Sequence, residues 1–309
     1  MATIEAPPAV EAAVQLRRET TALRLSFHWL GTRKTLSRSQ RTEAARPFEA
    51  AGDFLSAGKK LLDTTHPRFR QVTAVRHRAQ AYVQGMSLPY PEPGVRLIRR
   101  DDLDEVQQRL TELQQELADQ AARLDEAYAE LQASARRQLG RLFAASDYPA
   151  SLKEEFGMSW EFPSVDPPDY LRRLSPALYR EEAARVAARF DEAARLAEEM
   201  FLAELNDLVS HLSERLSGRD DGKPKIFRDS AVENLTEFFE RFRRLHLGGE
   251  DQLEEIVRQA EAALLGVDAQ QLREAPRLRE RLVDNLAEVR RSLDEQLVDQ
   301  PRRQVMRPK

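Results

Sequence analysis

"DDLDEVQQRLTELQQELADQAARLDEAYAEL", residues 101–131, decides the fold class. Leu103, Leu110, Leu117, Leu124 and Leu131 stand seven apart, and Val106, Leu113 and Ala127 supply a second seam that Gln120 interrupts. Apolar residues at this interval draw one stripe along a helix over about four heptads, with Glu, Gln and Arg elsewhere. Asp101 and Asp102 put carboxylates at the positive end of the helix dipole. Past Leu131 the spacing shifts through Ala135, Leu139 and Leu142, and the pattern predicts a stop near Phe143.

A second long helix opens at "SPALYREEAARV". Ser175 suits the N-cap and Pro176 the first helical position, where a missing N–H costs nothing. Its apolar line runs Tyr179, Ala183, Val186, Phe190, Ala193, Ala197, Phe201, Leu205, Leu208, Leu212 and Leu216. Two helices of similar length, each with one stripe to bury, are expected to pair as an antiparallel coiled-coil hairpin over 101–217. Between them, 144–173 carries Tyr148, Phe156, Trp160, Phe162 and Tyr170 among four prolines, Pro149, Pro163, Pro167 and Pro168. That density of rings predicts a small aromatic tip on the hairpin. Such a tip either packs on itself or docks a partner.

Residues 218–309 read as a C-terminal helical region. Ser230 with Glu233, and Asp268 with Gln271, have the spacing of capping boxes. Val232, Leu235, Phe238, Phe239, Phe242 and Leu245 make one apolar face before Gly248-Gly249. Leu278, Leu282, Leu286, Val289, Leu293 and Leu297 make another before Pro301.

The head, residues 1–100, reads differently. Leu23, Leu25, Phe27 and Trp29 alternate with Arg24, Ser26 and His28, which is strand periodicity. Gly31-Thr32 can turn the chain so that "RKTLS" returns as a partner strand, and "GVRLIRR", 94–100, is a third candidate. "PFEAAGDFLSAGKKLLDTT" and "RFRQVTAVRHRAQAYVQGM" read as helices. The expected fold is therefore mainly α. A long antiparallel coiled-coil hairpin projects from a small α+β N-terminal head, with a helical bundle at the C-terminal side.

Composition narrows the chemistry. The chain has no cysteine, which excludes disulfides, Cys-based zinc sites and thiol nucleophiles. It lacks the phosphate-loop, dinucleotide and HExxH patterns. Its five histidines do not stand four apart in any pair, so neither a metal nor a cofactor is expected. With no signal-peptide pattern and no apolar run of spanning length, a cytoplasmic protein without membrane contact is expected. The net charge of -4 hides an asymmetry: residues 1–100 hold 17 Lys/Arg against 8 Asp/Glu, and 101–309 hold 31 against 44. Arg24, Arg33, Lys34, Arg38 and Arg41 cluster near the strand, and Lys59, Lys60, Arg68, Arg70, Arg76 and Arg78 follow. Such cations contact nucleic-acid phosphates or an acidic partner if they converge.

"LSFHWLGTRKTL", 25–36, followed by "GKKLLD", a helix, a Pro/Gly segment and a long heptad helix, resembles a bacterial and phage family known as a domain of unknown function. The residues that carry the likeness are Ser26, His28, Trp29, Gly31, Arg33 and Lys34. Phe27 departs from the family's aliphatic residue, and Trp29 follows His28 directly. The resemblance spans about residues 20–220 and implies a gene neighbour, a MoxR-type AAA+ ATPase, as partner; it brings no catalytic residues. The function expected is that of a non-enzymatic scaffold or adaptor acting through protein–protein contacts. The alternative is a nucleic-acid-binding protein using the basic head. Self-association through leftover apolar stripes is a further expectation.

Overall fold

The computed structural model describes residues 8–216, 230–248, 251–267, 272 and 275–299. The expected loop at 218–228, the capping boxes at Ser230 and Asp268, and the tail from Pro301 lie outside the residues or side chains described. Among the described residues the chain is mainly α. Its order is α1 (Pro8–Glu19), β1 (Thr20–Trp29), β2 (Arg33–Thr35), α2 (Arg38–Ala45), β3 (Gly58–Lys60), α3 (Pro67–Gly85), β4 (Ser87–Pro89) and β5 (Val95–Arg99). It continues with α4 (Leu103–Glu126), α5 (Tyr128–Leu139), β6 (Phe156–Glu161), α6 (Leu171–Leu174), α7 (Pro176–Leu216), α8 (Ser230–Leu245), α9 (Asp251–Leu264) and α10 (Pro276–Asp299). No described helix is long and apolar enough to cross a membrane.

The chain forms two compact units. A mixed unit comprises Leu23–Gly85 and Asp101–Pro163. A helical unit takes the described residues up to Ala22, Met86–Arg100, and those from Ser164 onward.

In the mixed unit, α4 buries Val106, Leu110, Leu113, Leu117, Ala121 and Leu124, the stripe the heptads mark. The stripe rests against α3 and β6. α3 meets it with Phe69, Val72, Val75, Ala79 and Val83, themselves one helical face. The helix breaks at Ala127 and resumes as α5, ending at Gly140 with φ +50. β1 pairs antiparallel with β6, from Arg24 opposite Glu161 to Trp29 opposite Phe156. This corrects two expectations. The partner of β1 is "FGMSWE" from the supposed tip, and "RKT" pairs with β3. Alternation puts Leu23, Leu25, Phe27, Trp29, Phe156, Met158 and Trp160 on one sheet face. Trp29 meets the edge of Phe156 at 5.0 Å, and Phe156 that of Phe69 at 5.9 Å.

In the helical unit, α7 is the spine. It opens as the sequence predicts, with the Leu178 N–H donating to Ser175 Oγ over 3.4 Å. Its stripe, from Val186 to Leu216, is covered by α1, α8 and α10. Phe201 packs edge-on against Phe238 at 6.2 Å and Phe242 at 5.0 Å. β4 and β5 form an antiparallel pair, so the expected strand at "GVRLIRR" is present. The antiparallel hairpin expected between 101–143 and 175–216 is not what buries the two stripes: each is covered inside its own unit. A stripe states only how much apolar surface must leave water, not which neighbour removes it.

Candidate functional site

The mixed unit carries an arm, residues 33–60, that leaves and re-enters through the β2–β3 ribbon. The sequence suggests a helix from Pro47. The structure has α2, two single 3-10 turns at Arg46–Phe48 and Gly52–Phe54, and then β3. Pro47 and glycines at 52 and 58 stop any helix there.

Three contacts brace the arm. Ser37 starts α2 with a reciprocal capping box: the Gln40 N–H donates to Ser37 Oγ and the Ser37 N–H donates to Gln40 Oε1. Arg38 forks onto Asp53, Nε to Oδ1 at 3.1 Å and the terminal nitrogen to Oδ2 at 2.6 Å. That donation holds the Asp53 carboxyl below the usual carboxylate range. Gly52 lies so close to α2 that a Cβ there would sit 2.7 Å from Thr42 Cα. On this braced arm Phe48 is 80% exposed and Phe54 is 93% exposed.

The ribbon pairs Arg33 with Lys60 and Lys34 with Lys59. Lys34 Nζ reaches Asp147 Oδ1 at 2.6 Å, and Lys59 Nζ lies 2.5 Å from Oδ2. Lys59 is 7% exposed and aims its hydrogen bond at the Leu142 carbonyl, 2.6 Å away, so Oδ2 receives charge but no aligned donor. Lys34 and then Lys59 hold the Asp147 carboxyl below its ordinary range. Tyr148 supports the lock: its ring stacks on Phe143 at 5.0 Å, and its hydroxyl donates to the Leu61 carbonyl over 2.9 Å.

The remaining predicted cations divide. Arg24 is bound to Glu161 at 2.9 Å and Arg78 to Glu116 at 2.5 Å. The Arg76 guanidinium stands 4.8 Å from the Trp29 ring centre and 5.2 Å from that of Phe27. These three are structural. Arg41 is half-buried beside Asp53. Arg33, Lys60, Arg68 and Arg70 are exposed.

The predicted aromatic tip is dispersed. Phe156 is core, Tyr148 serves the lysine lock, and Trp160 donates from Nε1 to Gln107 over 2.8 Å. Phe162 is exposed at the end of the mixed unit. Tyr170 is exposed in the helical unit.

The helical unit holds an open cleft of about 720 Å³ lined by Val14, Arg17, Arg18, Asp166, Asp169 and Tyr179 among others, and Tyr170 follows its lining residue Asp169 in the chain. Arg17 grips Asp166 Oδ1 from Nε at 3.1 Å and from its terminal nitrogen at 2.8 Å. Val14 on the cleft wall is exposed, as are Leu174 and Leu178 in the chain that leads to Tyr179.

Sequence reasoning misses Asp147, Phe48, Phe54 and the Arg17–Asp166 pair. Asp147 lies 113 residues from Lys34, and no spacing rule reaches that far. Phe48 had a signal, the proline before it. No family model, curated protein or solved structure matches this chain.

Proposed function

We propose that this protein is a non-enzymatic adaptor that works by protein–protein contact, with the α6–α7 junction of the helical unit as its docking surface. The observation that carries this is the grouping of exposed apolar side chains. Tyr170, Leu174 and Leu178 fall within nine residues, in the segment that joins the cleft residues Asp169 and Tyr179, and Val14 is exposed on the cleft itself. Single exposed apolar residues are ordinary on a protein surface; several together beside a concavity favour a partner. "YLRRLSPALYR", 170–180, carries three arginines and no acid, which selects a partner surface with an apolar anchor ringed by carboxylates. The family resemblance at 25–36 makes an AAA+ ATPase the first partner to test.

Photo-crosslinking in the native host tests this. Benzoylphenylalanine at position 170 and, separately, at 174 is expected to capture the same polypeptide. A probe at exposed Ala129 should not. Replacing Arg172 and Arg173 with Glu should lower the yield. Labelling at 170 and 174 no higher than at 129 would remove the reading. Capture of a second copy of the chain would reassign the surface to self-association.

A further inference from the structure

Residues paired directly across an antiparallel ribbon project from the same side, and the next pair projects from the other. The Lys34–Lys59 pair faces Asp147, so the Arg33–Lys60 pair faces away from it. Both Arg33 and Lys60 are exposed. Like charges directly opposite one another cost stability. The offset is partial: Arg33 meets no carboxylate among the described residues, and Lys60 has only the nearby Asp63. Asp63, which feels Lys60, already accepts hydrogen bonds from the Thr65 N–H at 2.9 Å and hydroxyl at 2.6 Å. One side of the ribbon is locked, its two lysines sharing one carboxylate; the other carries two exposed cations, of which only Lys60 has an acid, Asp63, nearby.

The excess charge of the arm sits in the ribbon itself. Residues 33–60 hold seven Lys/Arg and three Asp/Glu; four of those cations are Arg33, Lys34, Lys59 and Lys60, and between the strands Arg38, Arg41 and Arg46 are balanced by Glu43, Glu49 and Asp53. The large apolar side chains exposed on the arm are both phenylalanines, Phe48 and Phe54. Folding gains nothing from phenyl rings in water, yet the arm beneath them is stapled by Arg38–Asp53, the Ser37 capping box and the Gly52–Thr42 contact. A stapled loop loses less entropy when something binds it. The missing partner must bring regularly spaced negative charge and flat apolar faces. Single-stranded nucleic acid brings one of each per nucleotide, whereas a duplex conceals its base faces. An acidic protein surface answers the charge but does not call for rings alone.

We propose that the arm of residues 33–60 binds single-stranded nucleic acid, with phosphates drawn to Arg33 and Lys60 and bases stacked on Phe48 and Phe54. The docking surface of the helical unit plays no part in this.

Fluorescence anisotropy of the full chain with a labelled 20-mer of deoxythymidine, titrated at several salt concentrations, is the test. Replacing Phe48 and Phe54 together with Ala should weaken binding at least about tenfold and leave the salt dependence unchanged. Replacing Arg33 and Lys60 with Gln should reduce the slope of log K against log salt by roughly 1.4. All four side chains are exposed, so an unchanged urea midpoint confirms that each variant is folded. The proposal is overturned by an absence of binding at about 20 mM salt, by affinity that neither variant alters, or by a duplex of equal length binding as tightly. It is equally overturned if poly-glutamate competes as well as unlabelled oligonucleotide, since the occupant is then an acidic protein.

Discussion

Lys34 and Lys59 lie directly opposite each other across a two-stranded ribbon and close on the two oxygens of one carboxylate, Asp147, at 2.6 and 2.5 Å. The arrangement fastens the arm at its root. Two ammonium groups side by side would repel; the carboxylate between them converts that repulsion into a clamp. Lys59 is the costlier partner, because its charge is buried with only Asp147 and the Leu142 carbonyl to compensate it.

Asp147→Asn should therefore destabilise the mixed unit by about 3 kcal/mol, the usual result of leaving one charge of a buried pair alone. Urea unfolding followed by tryptophan emission reads this unit specifically, since the chain's two tryptophans, Trp29 and Trp160, both belong to it. The double variant Asp147→Asn with Lys59→Met should recover much of the loss, because it removes the stranded charge as well. The acid limb has a defined sign. The Asp147 pKa is depressed on folding, so its contribution is complete above about pH 4 and disappears only as pH falls through the lower folded value. A shoulder of lost stability near neutral pH in this unit would contradict the assignment.

Gly52 sets how closely the far side of the arm approaches α2. A methyl group at this position would meet Thr42 backbone N at 2.8 Å and Cα at 2.7 Å, and backbone cannot step aside as a flexible side chain can. Gly52→Ala should loosen the arm at a cost of about 1–3 kcal/mol. Trypsin cleavage after Arg41, in the helix that Gly52 packs against, followed by mass spectrometry, is expected to accelerate several-fold while sites in α4 keep their rates. Unchanged cleavage would show that the brace is carried by Arg38–Asp53 alone.

What was legible in the sequence tracks how local the physics is. Ser175 and Pro176 announce the start of α7, and the cap forms as read. The heptad leucines Leu110, Leu117, Leu124 and Leu131 all become buried, because a stripe is a property of one helix. Partnership is not such a property. α3 offers an apolar face of its own from Phe69 to Val83, and the stripe of α4 settles there. β1 is recognisable from its alternation, yet its partner lies 127 residues after Trp29, in a segment whose rings suggested a tip. The sequence shows basic residues near the strand without telling their tasks apart: Arg24, Arg76 and Arg78 are spent on Glu161, two aromatic rings and Glu116. Only geometry separates those from Arg33 and Lys60.

Arg76 lies against both Trp29 and Phe27, and the attraction between a guanidinium and a ring face is worth about 1–2 kcal/mol in a half-buried setting. Arg76→Gln should lower the urea midpoint of the mixed unit by a corresponding amount and alter the Trp29 contribution to the emission spectrum. Arg76→Lys should restore only part of it, since an ammonium lacks the flat stacking surface. Equal behaviour of the Gln and Lys variants would mean that the aliphatic stem, not the charge, supports the sheet.

In the helical unit the sensitive group is His246. Its ring stacks on Phe242 at 4.5 Å and meets the edge of Phe201 at 6.4 Å, with Nδ1 3.3 Å from Glu254 and Nε2 buried without a partner. Burial lowers its pKa, and Glu254 opposes the shift without cancelling it. The folded state thus prefers the neutral ring. As pH falls through about 6.5 the unfolded chain takes up the proton first. Stability is full above that value and declines below it, down through the folded pKa. Thermal melting followed by helical circular dichroism should show a midpoint falling between pH 7 and pH 5. His246→Phe keeps the stack and cannot be protonated, so it should flatten that slope. A wild-type midpoint constant over the interval, or a slope that persists in His246→Phe, would move the pH sensitivity to another residue.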